Sequence, residues 1–543
     1  MRFLMVYPNS TGNTKVPLGV LYLMTLLERE GHEVRLFDMT FYGVEFHKND
    51  IEIRGKNLNF DPVDLRPYGV VYRHAAMTEV MSDYRMCLES YNPDVVGISI
   101  TEDTSQVGLS FAQQTKDFSP KVLVMLGGVY CMTRPEYVIA NPAVDLVCIG
   151  EGEIIVPEIL NRIQNGLPYF DVQGFWAKDS RGEVIKNKVA APIDLDTIPF
   201  SDLSKISDLH LYNPMAGHVY KMTFVESQRG CPRRCTYCCN QLFLDAYKDF
   251  KSDYLRKKSI PRLIDELKYY KNEYGINFFQ FTDDDFLLRS EEELERFKEM
   301  YKKEIDLPFW IQAEAWHANE NKVRLVREAG CMAISMGIET GSEKIRTEVY
   351  KRNTPREVTK KAFEIMHKYG IRTSANVIIG VPEEGRREIF ETIELVKECE
   401  PCSLNVNIFT PYYGTVLRNV CVEKGYLEES YLREGRNSWQ AALEMPQITK
   451  KEVEGLAKTF TLYSTLSTEY YEDIKKCEEM KDETGLIYAK LENKCMRILK
   501  KRGINYDVPG FDYEAFLEKR KAELEERNAL ALNRKTTNQA SAV

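Results

Sequence analysis

Short, nearly unbroken apolar runs alternate with amphipathic stretches through most of the chain. The first run is Arg2-Phe3-Leu4-Met5-Val6-Tyr7. A loop rich in Asn, Ser, Thr and Gly follows at 8–14, and Pro17-Leu18-Gly19 opens a helix that carries Leu21, Leu23, Leu26 and Leu27. Gly31-His32 ends that helix and residues 33–38 read as the next strand, so the segment predicts a β-α-β unit. The rhythm recurs with strands at 94–100, 121–128 and 145–150. Runs that are apolar at successive positions suit strands buried on both faces, as in a parallel sheet covered by helices. The predicted fold class is α/β, with residues 1–165 forming one doubly wound, Rossmann-like domain.

Residues 166–215 lack clear periodicity, hold several Pro and Gly, and read as a linker or small bridge. A second βα series has strands near 222–227, 277–282, 308–314, 331–338, 373–380 and 403–409, with helical patterns between them, for example at 261–274 and 290–304. Six such units over residues 216–425 are fewer than the eight of a closed barrel, so a partial (βα)6 TIM-type barrel is predicted. Residues 426–528 read as a charged helical region, with helices at 449–467, 468–480 and 513–528. The polar stretch 529–543 reads as a disordered tail.

Charge and cysteine content narrow the setting. The formal net charge of −9 gives no reason to expect a nucleic acid or an anionic membrane as partner. No run approaches the ~18–20 apolar residues of a membrane span, and the N-terminal run is too short for a signal peptide, so a cytoplasmic protein is expected. Thirteen cysteines, an odd number spread along the chain, argue against a secreted disulfide framework and for reduced thiols, some of them metal ligands.

The sharpest chemical signal is Gly230-Cys231-Pro232-Arg233-Arg234-Cys235-Thr236-Tyr237-Cys238-Cys239-Asn240. Cys231, Cys235 and Cys238 are spaced C-x3-C-x2-C in the loop after the first strand of the second series. Three thiolates in one tight loop can hold three irons of a [4Fe–4S] cube and leave the fourth open to a reactant. A structural zinc would want a fourth ligand, and the adjacent Cys239 would project differently. Arg229, Arg233 and Arg234 stand near enough in sequence to offset the charge of a thiolate-ligated cluster.

The triad with Tyr237 as C-x3-C-x-aromatic-x-C resembles the radical S-adenosylmethionine (radical SAM) superfamily, and further motifs follow at the right strand ends. Gly337-Ile338-Glu339-Thr340-Gly341 resembles the family's ribose motif. The stretch from Asn376 through Ile378 and Gly380 to Glu383 resembles its G-x-I-x-G-x-x-E pattern against the adenine, with Asn376 where that pattern has Gly. Thr282-Asp283-Asp284-Asp285 stands where the second strand meets the methionine amino group, and Arg352 stands as a partner for the methionine carboxylate. Pro411-Tyr412-Tyr413-Gly414-Thr415 resembles the sixth-strand ending. The resemblance implies a cluster on Cys231, Cys235 and Cys238. It implies SAM held by Tyr237, Asp283, Asp284, Glu339, Thr340, Gly341, Arg352, Asn376, Ile378 and Gly380.

In the N-terminal domain, Ser99, Thr101, Gly127-Gly128 and Gly150-Glu151-Gly152-Glu153 follow successive strands, where a parallel sheet places a ligand with a phosphate or nucleotide tail. Ordinary βα turns use the same residues. Ahead of a radical SAM barrel, however, the pattern resembles the cobalamin-binding domain of the cobalamin-dependent radical SAM class. The resemblance implies cobalamin bound by Ser99, Thr101, Gly127, Gly128, Gly150, Glu151, Gly152 and Glu153. The loop at 8–14 lacks the Asp-x-His-x-x-Gly segment that gives cobalt a histidine in other cobalamin folds, so no lower histidine is expected.

The implied activity is a methyltransferase acting on an unactivated carbon or a phosphinate. SAM would be cleaved at the cluster to a 5′-deoxyadenosyl radical, and cobalamin would carry the methyl group. A flavodoxin- or ferredoxin-type electron donor and a small-molecule or lipid-like substrate would be the partners. Two alternatives stay open. One is a radical cyclase, oxidative ring-forming or carbon–carbon coupling enzyme on the same scaffold. The other is a non-catalytic cobalamin or redox sensor, for which an open iron would have no use.

Overall fold

The computed structural model describes every residue except 11–13, 45–54, 180, 251–253, 434–438, 480 and 541–543. Part of the loop at 8–14 and the end of the expected tail therefore lie outside the described residues.

The first sheet has the order β2-β1-β3-β4-β5-β6-β7, with β1 Arg2–Tyr7, β2 Glu33–Asp38, β3 Val95–Ser99, β4 Leu123–Gly127, β5 Leu146–Cys148, β6 Phe175–Lys178 and β7 Val184–Lys186. Its first five strands are parallel. Chain direction switches sides between β1 and β3, which opens a crevice beyond their carboxyl ends. Alternation along the strands sorts the two faces. Val96 and Ile98 face the helices Met77–Tyr91 and Ser105–Phe118 through Tyr84, Leu88 and Phe111. Phe3, Met5, Val95 and Met125 face Leu18–Arg29 and Gly152–Gln164 through Met24, Leu27 and Ile159.

This sheet does not stop at residue 165. The β6–β7 hairpin adds antiparallel to β5, inside the stretch read as a linker, and buries Phe175, Trp176 and Ala177. Four residues with one charged end give too short a period for the sequence pattern to announce. The rest of that stretch is braced rather than loose. His210 is fully buried, with one ring nitrogen 2.6 Å from an Asp38 carboxylate oxygen and the other 3.0 Å from the Thr14 carbonyl oxygen.

The second sheet runs β16-β15-β14-β13-β12-β9-β8. Its strands are β8 Tyr212–Met215, β9 His218–Val225, β12 Phe278–Phe281, β13 Phe309–Ala313, β14 Cys331–Glu339, β15 Arg372–Ile379 and β16 Ser403–Ile408. Between β9 and β12, a small ribbon pairs β10 Gln228–Arg229 with β11 Arg256–Lys257. The six strands β9 to β16 are parallel and β16 does not pair with β9, giving the expected open (βα)6 barrel. Helix signals sit where sequence placed them. Ser290 and Glu293 form a capping box at Glu291–Glu304, and Ile260–Tyr274 starts after the Ser259 cap with Pro261 in its first turn.

The C-terminal helices belong to the barrel's own core. Phe460, Leu462, Cys495, Leu499 and Ile504 share one cluster with Ile334, Val377 and Leu404. Two elements depart from the expectation. Gly485–Arg502 is a helix that the sequence reading passed over, and the last helix, Tyr513–Ala540, continues into the stretch expected to be disordered. The buried Arg372 donates to the carbonyls of Gly503 and Ile504, tying β15 to the end of the Gly485–Arg502 helix. Among the described residues no helix is long and apolar enough to cross a membrane.

The two units meet through buried charge. Lys258, just after β11, places its ammonium 2.6 Å from the Glu266 carboxylate and 3.5 Å from the Tyr22 hydroxyl of the first helix, and both charged side chains are 1% exposed. Removing one member strands the other in a dry interior. Lys258→Met is expected to lower unfolding free energy by about 3–5 kcal/mol in urea titration. Lys258→Met with Glu266→Leu is expected to recover most of that loss.

Candidate active site at the barrel's strand ends

The carboxyl ends of the barrel strands enclose a cavity of about 130 Å³ whose lining includes Cys231, Asp284, Glu314, Glu339, Arg352 and Asn376. These side chains come from loops or strands spread over some 145 residues of sequence, and the parallel strands bring them to one rim.

The cysteine loop leaves β10 through Gly230, whose φ of 99° and 2.7 Å approach of a would-be Cβ to the Tyr254 carbonyl exclude a side chain. The Asn240 amide donates to the carbonyls of Cys231 and Arg233 at 2.8 and 2.6 Å, and its backbone N–H donates to Cys238 Sγ at 3.4 Å. Thr236 is fastened to Tyr350 and Val349 by its N–H and hydroxyl. Burial pushes the Cys231 thiol up to about 12 and raises Cys235 as well, so binding of a metal would displace protons from this loop.

The arginines divide differently from the sequence expectation. Arg229 is committed to Glu151, Glu153 and Glu226, Arg233 to Glu314 at 2.7 Å, and Arg234 to the exposed Asp245 at 2.8 Å. The guanidinium nearest a triad sulfur is Arg352, whose Nη1 is 3.9 Å from Cys235 Sγ while Nη2 donates to the Gly337 carbonyl at 3.2 Å. Burial opposes its charge, but Tyr237, Glu339 and Glu314 around it hold it firmly protonated.

Glu339 closes β14 in the left-handed region, at φ 63°, beside an irregularity in the β14–β15 register. Its carboxylate folds back over Gly337, where a Cβ would lie 2.1 Å from Oε1, so a side chain at 337 would evict it. Burial raises the Glu339 pKa, with Arg352 and Tyr237 pulling the other way. Such local strain is held by surrounding structure and recurs at sites that grip ligands. Asn376 occupies the room that a Gly would leave. It donates to Ser335 Oγ at 2.9 Å and accepts from Asn405 at 3.0 Å, a polar rung across β14, β15 and β16.

Other expected SAM contacts stand behind the cavity wall rather than on it. Asp283 is 1% exposed and turned inward. It accepts from the N–H groups of Ser227 and Gln228 at 2.7 and 3.0 Å and from the Ser227 hydroxyl. Asp284 and Asp285 are the members of that run on the cavity. Thr340 and Gly341 dock on the Arg386–Cys399 helix through Thr392, and a Cβ at Gly341 would strike the Glu391 carbonyl at 2.2 Å. Tyr237 packs edge-on to Tyr350, whose hydroxyl donates to the Ile378 carbonyl, and Gly380 turns its N–H onto Glu384. The sequence reading gave no role to His317, which meets Asp285 at 2.5 Å, nor to Glu314, which lies between Arg233 and Arg352. Asp285 lay in the acidic run already singled out; for His317 no motif was available.

The N-terminal residues expected to take cobalamin also separate. Gly150 faces the Tyr247 hydroxyl, which a Cβ would meet at 2.6 Å. Glu151 pairs with Arg256 and accepts from the Ile193 N–H at 3.0 Å, and Glu153 lies 2.9 Å from Arg229, so these glutamates join the domain to the barrel. Gly152 packs on Leu23. Gly128, at φ 100°, lets β4 close against the Ile100 carbonyl, and Thr101 heads a turn with Thr104. Ser99 and Gly127 pair across β3 and β4, and a Cβ at Gly127 would make only ordinary contact with Cys148. Ser99 and Gly127 are half-buried at the strand ends, and Thr101 and Gly128 beside them are exposed.

Asp283 thus acts as a brace for the start of the cysteine loop. Asp283→Ala leaves two buried N–H groups without an acceptor, and a loss of about 3 kcal/mol in unfolding free energy is expected. Iron retained after anaerobic reconstitution should fall with it, measured by colorimetric iron assay.

Comparison with known proteins gives the same two domains. Residues 225–396 match the family model of the radical SAM superfamily, and residues 71–160 match that of the B12 binding domain. An uncharacterized methyltransferase of Pyrococcus horikoshii is 26% identical over 79% of this chain and 84% of its own. Cytidylyl-2-hydroxyethylphosphonate methyltransferase of Streptomyces wedmorensis is 24% identical over 77% and 80%. The solved radical SAM methyltransferase TsrM of Kitasatospora setae, with cobalamin and a [4Fe–4S] cluster bound, shares the fold at a TM-score of 0.60 and 15% identity, covering 92% of this chain and 98% of its own. The chain carries a radical SAM domain, with a B12 binding domain ahead of it.

Proposed function

We propose that this protein is a cobalamin-dependent radical SAM methyltransferase acting on a small molecule at a carbon or phosphinate centre. One observation carries the reading: a single cavity gathers Cys231 of the triad with Glu339, Arg352, Asp284 and Asn376, in a chain that also carries a B12 binding domain. The donor chemistry fits. Three thiols in a short, well-braced loop are a ligand set for three irons of a cube, with room for one reactant. When bound, the cluster supplies one electron to SAM and cobalamin supplies a methyl carrier.

The chain's own residues position and shield. Cys231, Cys235 and Cys238 hold the irons, and Arg352 beside Cys235 offsets their negative charge. Arg233 and Arg352, both steadied by Glu314, offer cations to the methionine carboxylate. Asp284 takes the amino group and Glu339 a ribose hydroxyl, while Asn376 lies along the adenosine. Ser99 and Gly127 meet cobalamin at the ends of β3 and β4. A flavodoxin- or ferredoxin-type protein is the proposed electron donor, and the oxygen sensitivity of an open iron favours a reducing cytoplasm.

The test is one anaerobic assay that follows both fates of SAM. Protein reconstituted with iron, sulfide and hydroxocobalamin, and supplied with SAM and a low-potential reductant, should produce 5′-deoxyadenosine and S-adenosylhomocysteine together. A radical cyclisation or coupling would give 5′-deoxyadenosine without S-adenosylhomocysteine, and that result overturns the methyltransferase reading. Cys231→Ala should lose most of the iron and at least 100-fold of the 5′-deoxyadenosine rate, since a missing ligand removes the cluster rather than weakening a contact (roughly 3 kcal/mol or more).

A further inference from the structure

The barrel is open, so the N-terminal domain can be held at two separate flanks. On the β9 flank the hold is ionic, between Arg229 and Arg256 of the β10–β11 ribbon and Glu151 and Glu153 beyond β5. On the other flank β16 is the edge strand, and residues 410–415 lead out of it. They meet the N-terminal domain at Glu102, after β3, and at Thr133 and Arg134, where the short helices Val129–Thr133 and Pro135–Ala140 join after β4. None of these residues lines the cysteine cavity.

Tyr413 is the centre of that second contact. Its ring lies between two guanidinium groups, Arg418 of the barrel at 3.4 Å from the ring centroid and Arg134 of the N-terminal domain at 4.1 Å. Its backbone N–H donates to Glu102 Oε2 at 2.8 Å, and its hydroxyl donates to the Glu429 carbonyl at 2.8 Å. The half-buried ring packs on the apolar cluster of the N-terminal domain. Gly414, at φ 80°, lets the chain close on Thr133, whose Cβ a side chain there would meet at 3.0 Å. Arg418 is 2% exposed and held in place, since its two terminal nitrogens donate to the carbonyls of Pro411, Glu429 and Tyr431. Burial raises the Glu102 pKa, while the Tyr413 N–H and the charges of Arg418 and Arg134 pull it down, so one carboxyl faces both cations.

A guanidinium over an aromatic face is attracted by the ring's quadrupole, most strongly where water is excluded. Each domain takes one face of Tyr413, so the ring cannot keep both contacts if the domains part. Domains of one chain move relative to one another unless a large interface stops them. We propose that Tyr413 is a positioning residue, a clasp that holds the N-terminal domain against the β16 flank in the register that methyl transfer across the seam requires. The inference rests on the methyltransferase reading above. SAM cleavage at the cysteine loop draws on barrel residues alone. S-adenosylhomocysteine forms when the SAM sulfur keeps the electron pair of its methyl bond and the methyl passes to the other domain, on a pair from reduced cobalamin. A transfer step of this kind is sensitive to ångström-scale displacement. Loosening the clasp should therefore separate the two products.

Three variants of the cofactor-loaded full chain test it. Tyr413→Leu removes the ring and keeps the N–H, Arg134→Gln removes the N-terminal domain's cation from the less buried side, and Tyr413→Phe keeps the stacked ring. With SAM and a low-potential reductant, Tyr413→Leu and Arg134→Gln should slow first-turnover S-adenosylhomocysteine formation about tenfold or more, with 5′-deoxyadenosine within about twofold of wild type. Tyr413→Phe should keep both rates. Hydrogen exchange read by mass spectrometry gives a second readout that needs no turnover. Tyr413→Leu should speed exchange roughly fivefold or more in segments 101–105 and 129–137 and leave segment 151–156, at the ionic flank, unchanged. Both products falling together, neither falling, or unchanged exchange at 101–105 and 129–137 overturns the proposal. Absence of S-adenosylhomocysteine in wild type is a failure of the methyltransferase reading instead, and the exchange readout then decides the clasp by itself.

Discussion

The structure depends on a buried ion-pair network at the join of its two sheets. Arg229 and Arg256, on the two strands of the β10–β11 ribbon, reach Glu151 and Glu153 just beyond β5, and Arg229 also holds Glu226 at the end of β9. Arg229 is two residues before Cys231. The cysteine loop and the end of the B12 binding domain are therefore fixed to one another through five side-chain groups at 8–22% exposure. Buried ionic networks are weak as sources of net stability, but they are demanding in geometry, and losing one partner leaves a stranded charge. Here the geometry sets how a ligand on one sheet meets a ligand on the other, which is what transfer between two cofactors requires.

The same network shows what a linear pattern could not reveal. Gly150-Glu151-Gly152-Glu153 has the composition of a ligand-binding βα turn, and nothing in a linear pattern says that its carboxylates will meet arginines some 75–105 residues later. Asp283 is a similar case. It has the same side chain as Asp284 and differs only in pointing into the protein, where three donors await it. The β6–β7 hairpin was illegible because β7, with exposed Val184 and Lys186, has no apolar face to register.

What was legible had a local cause. The parallel strands announced themselves by runs buried on both faces, as in β14, where nearly every residue from Cys331 to Glu339 is buried. The cysteine triad was legible because three ligands of one cluster must share a short loop. Glu339 and Asn376 were legible through the glycines and strand ends around them, and Arg352 through its place after the ribose motif. Tertiary folding alone brings Glu314 to the rim between two arginines and His317 to Asp285.

Strain and unpaired polarity gather where the chain has most reason to tolerate them. Glu339 sits in a left-handed conformation over Gly337, and the buried Glu102 keeps one oxygen without a donor at the sheet's switch point. A scaffold selected for stability alone would relieve both. The central claim is that the cysteine cavity presents an open iron to SAM. Electron paramagnetic resonance of the reduced, reconstituted protein before and after addition of SAM tests it most directly. The account predicts a [4Fe–4S]⁺ signal that changes shape on SAM addition in wild type and is absent in Cys235→Ala; a signal that SAM leaves unaltered would contradict it.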